Sequence, residues 1–178
     1  MQNPCIRKLS EMKFVLYDQQ WAKTAEDFEV YRFWRGEVPE KKWQEPAIKG
    51  LRYDITIIWP KMLGKEYAKT KGHRHQIRTS EVIKVLEGEA FYLFQKGNEE
   101  KVEDVYVVKA KAEDYVLISA ESFHHLTINA SSEKRLVMAN WINPECHYDC
   151  GLFERTQGAC YCYTAEGWVK NEKYKKVP

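Results

Sequence analysis

Between residues 50 and 142 the apolar positions recur every second residue, in short runs rich in β-branched and aromatic side chains. The runs are Tyr53–Trp59, Glu81–Leu86, Ala90–Gln95, Val102–Val108, Tyr115–Ile118, His125–Ile128 and Arg135–Trp141. A period of two is that of a strand with one face buried, and the turn residues between runs mark the strand ends. Gly88-Glu89 and Lys96-Gly97-Asn98-Glu99 read as hairpin turns. Many short strands at close spacing, with almost no helical period, predict an all-β, small antiparallel β-barrel or jelly-roll-like sandwich.

The flanks are less regular. Asp18–Lys23 predicts a short helical turn, and Phe28–Trp34 a strand. After residue 142, Cys160–Thr164 and Trp168–Lys170 read as two weaker strands, followed by the basic segment Lys173-Tyr174-Lys175-Lys176, expected to be solvated. The expected organisation is a single domain over 1–178: an N-terminal strand and short-helix arm (about 1–45), a barrel core (50–142) and a C-terminal extension (143–178). No internal repeat or low-complexity linker interrupts it.

Composition narrows the function classes. The 28 basic and 26 acidic residues are mixed along the chain and leave a net charge of +2, which gives no charge-based case for nucleic-acid binding. No apolar stretch approaches the roughly 18 residues of a membrane span, and MQNPCIRKLS lacks the apolar run of a secretory signal. A cytoplasmic protein with no membrane partner is expected.

Four of the five histidines fall in two clusters, Thr70-Lys71-Gly72-His73-Arg74-His75 and Phe123-His124-His125. On a strand, His73 and His75 share a face with Arg74 turned away. Glu81 opens the next apolar run, and a turn through Gln76–Ser80 returns it beside the pair. Of the adjacent His124 and His125 only one can join them, because neighbours on a strand face opposite ways. His125 shares its face with Thr127 and Asn129, whereas His124 aligns with apolar Leu126 and Ile128, so His125 is favoured. Three imidazoles and a carboxylate suit one divalent first-row metal, Fe(II) first, with Mn(II), Ni(II) and Zn(II) also compatible. These are the elements of a cupin-type barrel.

The chain also resembles a narrower family. Arg7-Lys8-Leu9-Ser10-Glu11-Met12, Thr56-Ile57-Ile58-Trp59-Pro60, Leu63-Gly64-Lys65-Glu66, the TKGHRH segment, Phe123 to Asn129, and Cys146-His147-Tyr148-Asp149-Cys150-Gly151 are similar, in order, to the archaeal cupin-type glucose-6-phosphate isomerases. That resemblance implies a usually dimeric enzyme that interconverts glucose 6-phosphate and fructose 6-phosphate through a metal-stabilised enediol. It implies metal ligation by His73, His75, Glu81 and His125, and phosphate contacts from Thr56, Thr70 and the backbone of Gly72. Glu81 is the first candidate for the catalytic base and His147 the second. Such an isomerase serves glycolysis and gluconeogenesis alike.

Three positions depart from the family pattern. Ile83, Trp141 and Cys150 stand where relatives carry tyrosines, and the step from His75 to Glu81 is one residue shorter. Each missing hydroxyl removes a substrate partner worth about 1 kcal/mol, which leaves open another sugar or phosphosugar, a cupin dioxygenase with the same ligand set, or a non-catalytic metal- or sugar-binding cupin. Cys146, Cys150, Cys160 and Cys162 lack the paired spacing of a zinc site and are expected as reduced thiols.

Overall fold

The computed structural model describes residues 3–121 and 123–178. The elements up to residue 67 are β1 (Cys5–Lys8), α1 (Gln19–Thr24), β2 (Glu29–Arg35), β3 (Arg52–Ile58), β4 (Met62–Leu63) and β5 (Glu66–Tyr67). Then come β6 (Arg74–His75), β7 (Glu81–Glu87), β8 (Glu89–Gly97), β9 (Val102–Lys111), β10 (Tyr115–Ile118), β11 (His124–Asn129) and β12 (Leu136–Ile142). The last are β13 (Tyr148–Asp149), α2 (Gly151–Arg155), β14 (Tyr161–Thr164) and β15 (Gly167–Lys170). Every run with period-two alternation is a strand, and the class is all-β with antiparallel pairing between the named strands.

Two sheets carry the architecture. One has six strands in the order β1-β2-β3-β12-β7-β10, the other three in the order β11-β8-β9. Residues 68–73 run beside β11 and widen the smaller sheet: Thr70 N donates to Thr127 O at 2.8 Å, and His73 and His125 exchange both backbone bonds at 3.0 and 2.8 Å. Side chains from both sheets share one core, with Ile58, Val85 and Leu136 from the larger meeting Leu93, Leu126 and Ile128 from the smaller. Burying each such side chain contributes about 1.5–3 kcal/mol.

A second apolar layer covers the opposite face of the large sheet. Trp43 lies there against Ile55, Ile57, Val137 and Ala139. Both faces of β12 are therefore buried along its whole length. The segment before residue 45 is built into the large sheet, since β2 pairs with β3 over Tyr31 to Arg35 and β1 pairs with β2.

Two expectations change. Lys96–Glu99 does close the β8–β9 hairpin, with Asn98 N donating to Lys101 O at 3.0 Å. Gly88 does not close one: β7 pairs with β12 and β10, and β8 with β11 and β9, so Gly88 is a corner where the chain changes sheets. Its φ of +86° and the Arg135 carbonyl, 2.5 Å from where a Cβ would stand, admit only glycine there. The basic end is also pinned more than a solvated tail. Its lysines are exposed, but Tyr174 is buried beside Cys160 and Val102, and Val102 N donates to Lys176 O.

Candidate metal centre and pocket

His73, His75, Glu81 and His125 each offer one ligand atom, and these four atoms lie within 4.8 Å of one another. Three pieces of backbone bring them there. β6 supplies His75, with His73 just ahead of it on the backbone bridge to His125. Glu81 is the first residue of β7, paired with Ile118 of β10. Strand parity places His125 in this group and turns His124 the other way, against the Phe153 ring at 5.4 Å.

The hydrogen-bond pattern of these side chains fits a cation. His75 Nδ1 donates to the Thr79 carbonyl at 3.1 Å, which leaves Nε2 as the lone-pair nitrogen of the neutral ring. That nitrogen stands 3.0 Å from Glu81 Oε2, so two acceptors face one another unless the ring is protonated or a cation joins them. His73 Nε2 is buried with no hydrogen-bond partner. Burial, reinforced by the neighbouring His75, holds His73 down at about 3, and burial also takes His125 well below the usual histidine range. Burial pulls His75 the same way, but Glu81 outweighs it and raises that ring. A cluster of mainly neutral imidazoles around a buried carboxylate is a donor set for a divalent metal.

His73, Glu81 and His125 line a cleft of about 850 Å³, counting its open mouth, with His75 beside Glu81. Thr56, Thr70 and Gly72, expected from the sequence at the substrate, all line it, as do Ile83 and Cys150. Thr70 Oγ1 accepts from Thr127 N–H at 3.0 Å, so its own hydroxyl hydrogen is available to a ligand. Three cations border the space: Arg7, Arg35 and Lys71. Lys71 is tied to Glu154 at 2.5 Å and Arg7 to Glu11 at 2.6 Å.

Two sequence assignments move. His147 is exposed and does not line the cleft; its neighbour Tyr148 does. The cause is register, since β13 sets Tyr148 opposite His75 and strand alternation turns residue 147 to solvent. Trp141 also lies away from the cleft, donating from Nε1 to Pro46 O at 3.1 Å on the other face of β12, and Asn140 takes the inward place. Sequence reasoning missed Tyr148, Asp54, Arg35 and Arg7 as pocket residues. Alternation from Phe33 gives Arg35, and from Thr56 gives Asp54; nothing in the sequence alone places Tyr148, because β13 is a two-residue pairing made by its partner.

Asp54 is held in place rather than free. Arg52 grips both its oxygens, at 2.8 Å and 3.1 Å from Nε and 2.8 Å from Nη2, and Gly36 N donates to Oδ1 at 3.0 Å. The Arg35 guanidinium stacks on Tyr148, 5.5 Å from the ring centre.

Comparison with known proteins gives the chain a family. The family model described as Glucose-6-phosphate isomerase (GPI) matches residues 6–178. The glucose-6-phosphate isomerase of Thermococcus litoralis is 33% identical over 94 residues, covering 51% of this chain and 46% of that protein. The Pyrococcus horikoshii glucose-6-phosphate isomerase is 34% identical over 94 residues, covering 51% and 47%. The matches therefore span about half the length of these curated relatives. Among solved structures, the oxalate decarboxylase–formate complex of Lactobacillus farciminis superposes with a TM-score of 0.48 at 17% identity, over 70% of this chain and 31% of that one. With a family match that runs through the metal cluster and nearly the full chain, this protein belongs to the glucose-6-phosphate isomerase family.

Proposed function

We propose that this chain is a metal-dependent aldose–ketose isomerase interconverting glucose 6-phosphate and fructose 6-phosphate. The observation that carries the reading is the meeting of His73, His75, Glu81 and His125 at a cation-rimmed cleft that three of them line, in a chain of this family. These four residues are the metal ligands, and the metal is Fe(II) or, by supply, Mn(II), Ni(II) or Zn(II). When bound, such a metal would supply Lewis acidity for the negative charge of an enediolate. The working protein is a cytoplasmic homodimer.

The protein's own groups do the rest. Thr56, Thr70 and the Gly72 backbone hold the phosphate, with Thr70 donating the hydrogen that its bond from Thr127 leaves free. Lys71 and Arg7 add positive charge at that end. Glu81 takes the proton from C2 of the aldose and returns it to C1, while a hydroxyl proton passes from O2 to O1, so nothing is lost from the sugar. Burial of Glu81 keeps water from competing for that proton. Ile83 and Cys150 inside the cleft favour one second reading, a different phosphosugar as the preferred substrate.

The test is a coupled assay for fructose 6-phosphate from metal-loaded protein and glucose 6-phosphate. Activity lost on chelation and in His73→Ala supports the proposal. Oxygen uptake with an enediol substrate, or silence across a phosphosugar panel with metal bound, rejects it.

A further inference from the structure

We infer that Tyr148 is a substrate-binding residue, its phenolic O–H donating to a sugar oxygen at the metal end of the cleft and replacing hydroxyls absent at Ile83 and Cys150. The inference rests on the isomerase reading. Ile83 and Cys150 both line the cleft and neither can donate a strong hydrogen bond. Tyr148 enters the same space from β13. Its ring centre is 4.2 Å from that of His73 and 6.2 Å from that of His75, so it borders the ligand cluster directly.

The surroundings fix what its hydroxyl can do. Arg52, anchored on Asp54, brings its positive charge near Tyr148, and an arginine can only donate. Such a neighbour offers no acceptor, so the phenolic hydrogen is left for a ligand. Among the described residues, none of the hydrogen bonds uses it. A phenol is a donor as well as an acceptor, so the hydroxyl can give its hydrogen to a sugar oxygen. Arg35 and His73 against the ring, and the pairing of Tyr148 with His75, hold the side chain in place before substrate arrives.

Tyr148→Phe keeps the ring against His73 and removes only the hydroxyl. Calorimetry on manganese-loaded protein with 5-phospho-D-arabinonate, an aldonate phosphate that cannot isomerise, reads sugar-end binding; inorganic phosphate reads the phosphate end. The variant is expected to bind the aldonate phosphate roughly tenfold more weakly with unchanged manganese stoichiometry and unchanged phosphate affinity. KM for glucose 6-phosphate should rise in parallel. Equal aldonate affinity in Tyr148→Phe and wild type overturns the inference while wild-type isomerase activity leaves the isomerase reading standing. Equal weakening toward inorganic phosphate also overturns it, because the hydroxyl would then be supporting the fold of the cleft. Wild-type protein that neither isomerises glucose 6-phosphate nor binds the analogue rejects the isomerase reading, and this one with it.

Discussion

A Cβ on Gly72 would stand 2.5 Å from Cδ2 of Phe153, and the backbone there has a φ of +80°. Glycine is thus required twice at the residue before His73, by conformation and by the ring of α2 packed over it. Gly72→Ala should lose about 2–4 kcal/mol of stability, read from the denaturant midpoint. Adding Phe153→Ala should remove the steric part and leave the backbone strain, so the two changes should combine non-additively. Equal stability of Gly72→Ala and wild type would contradict this packing.

Metal content should separate the two adjacent histidines. His73→Ala, His75→Ala and His125→Ala are each expected to weaken divalent-metal binding at least tenfold, whereas His124→Ala, whose ring faces Phe153, should retain one equivalent per chain. Equilibrium dialysis with elemental analysis checks this. Retention in His125→Ala with loss in His124→Ala would reverse the assignment.

How far these positions were readable in advance follows from what sets them. Alternation within β3, β7, β11 and β12 is local, so strand positions and the choice of His125 over His124 are written in consecutive residues. The placements of Tyr148 and His147 are not, because β13 exists only through its bond to β6 and an irregular segment leads into it. Trp141 is expected at the cleft because it stands where the family resemblance places a tyrosine. Only the second apolar layer around Trp43, which buries the outer face of β12, shows why a tryptophan belongs on the far side. Gly88 looked like a hairpin because a glycine corner and a glycine turn have the same sequence signature.

Lys69 and Glu66 form an ion pair at 2.6 Å with side chains 4% and 0% exposed, away from the metal cluster. Removing one partner strands the other, so Lys69→Met should cost about 3–5 kcal/mol. Glu66→Leu with Lys69→Met should restore only part of this, because Tyr17 N–H donates to Glu66 at 2.7 Å and would lose its acceptor. Denaturant unfolding of the two single variants and the double variant measures the coupling.

Thiol reactivity should follow burial. Cys5 is exposed, whereas burial pushes Cys160 up to about 12 and Cys162 up to about 11, holding both as unreactive thiols. A native titration with an aromatic disulfide at pH 8 should show a fast phase that disappears in Cys5→Ser, and Cys160 and Cys162 should react only on unfolding. Rapid labelling of Cys160 in the native protein would disagree with its position.

The pairing of β3 with β12, from Arg52 with Ile142 to Ile58 with Leu136, also governs the order of events as the chain folds. Those strands are separated in the chain by β4 to β11, so a long loop must close before they pair with one another. Folding on the millisecond-to-second scale of non-local β proteins is the consequence. His73, His75, Glu81 and His125 meet only when β6 and the residue before it, β7 and β11 have docked, so the cluster is completed late. Added divalent metal should therefore slow unfolding and leave the refolding arm of the chevron nearly unchanged, making the metal a latch on the finished sheet pair rather than a seed for it.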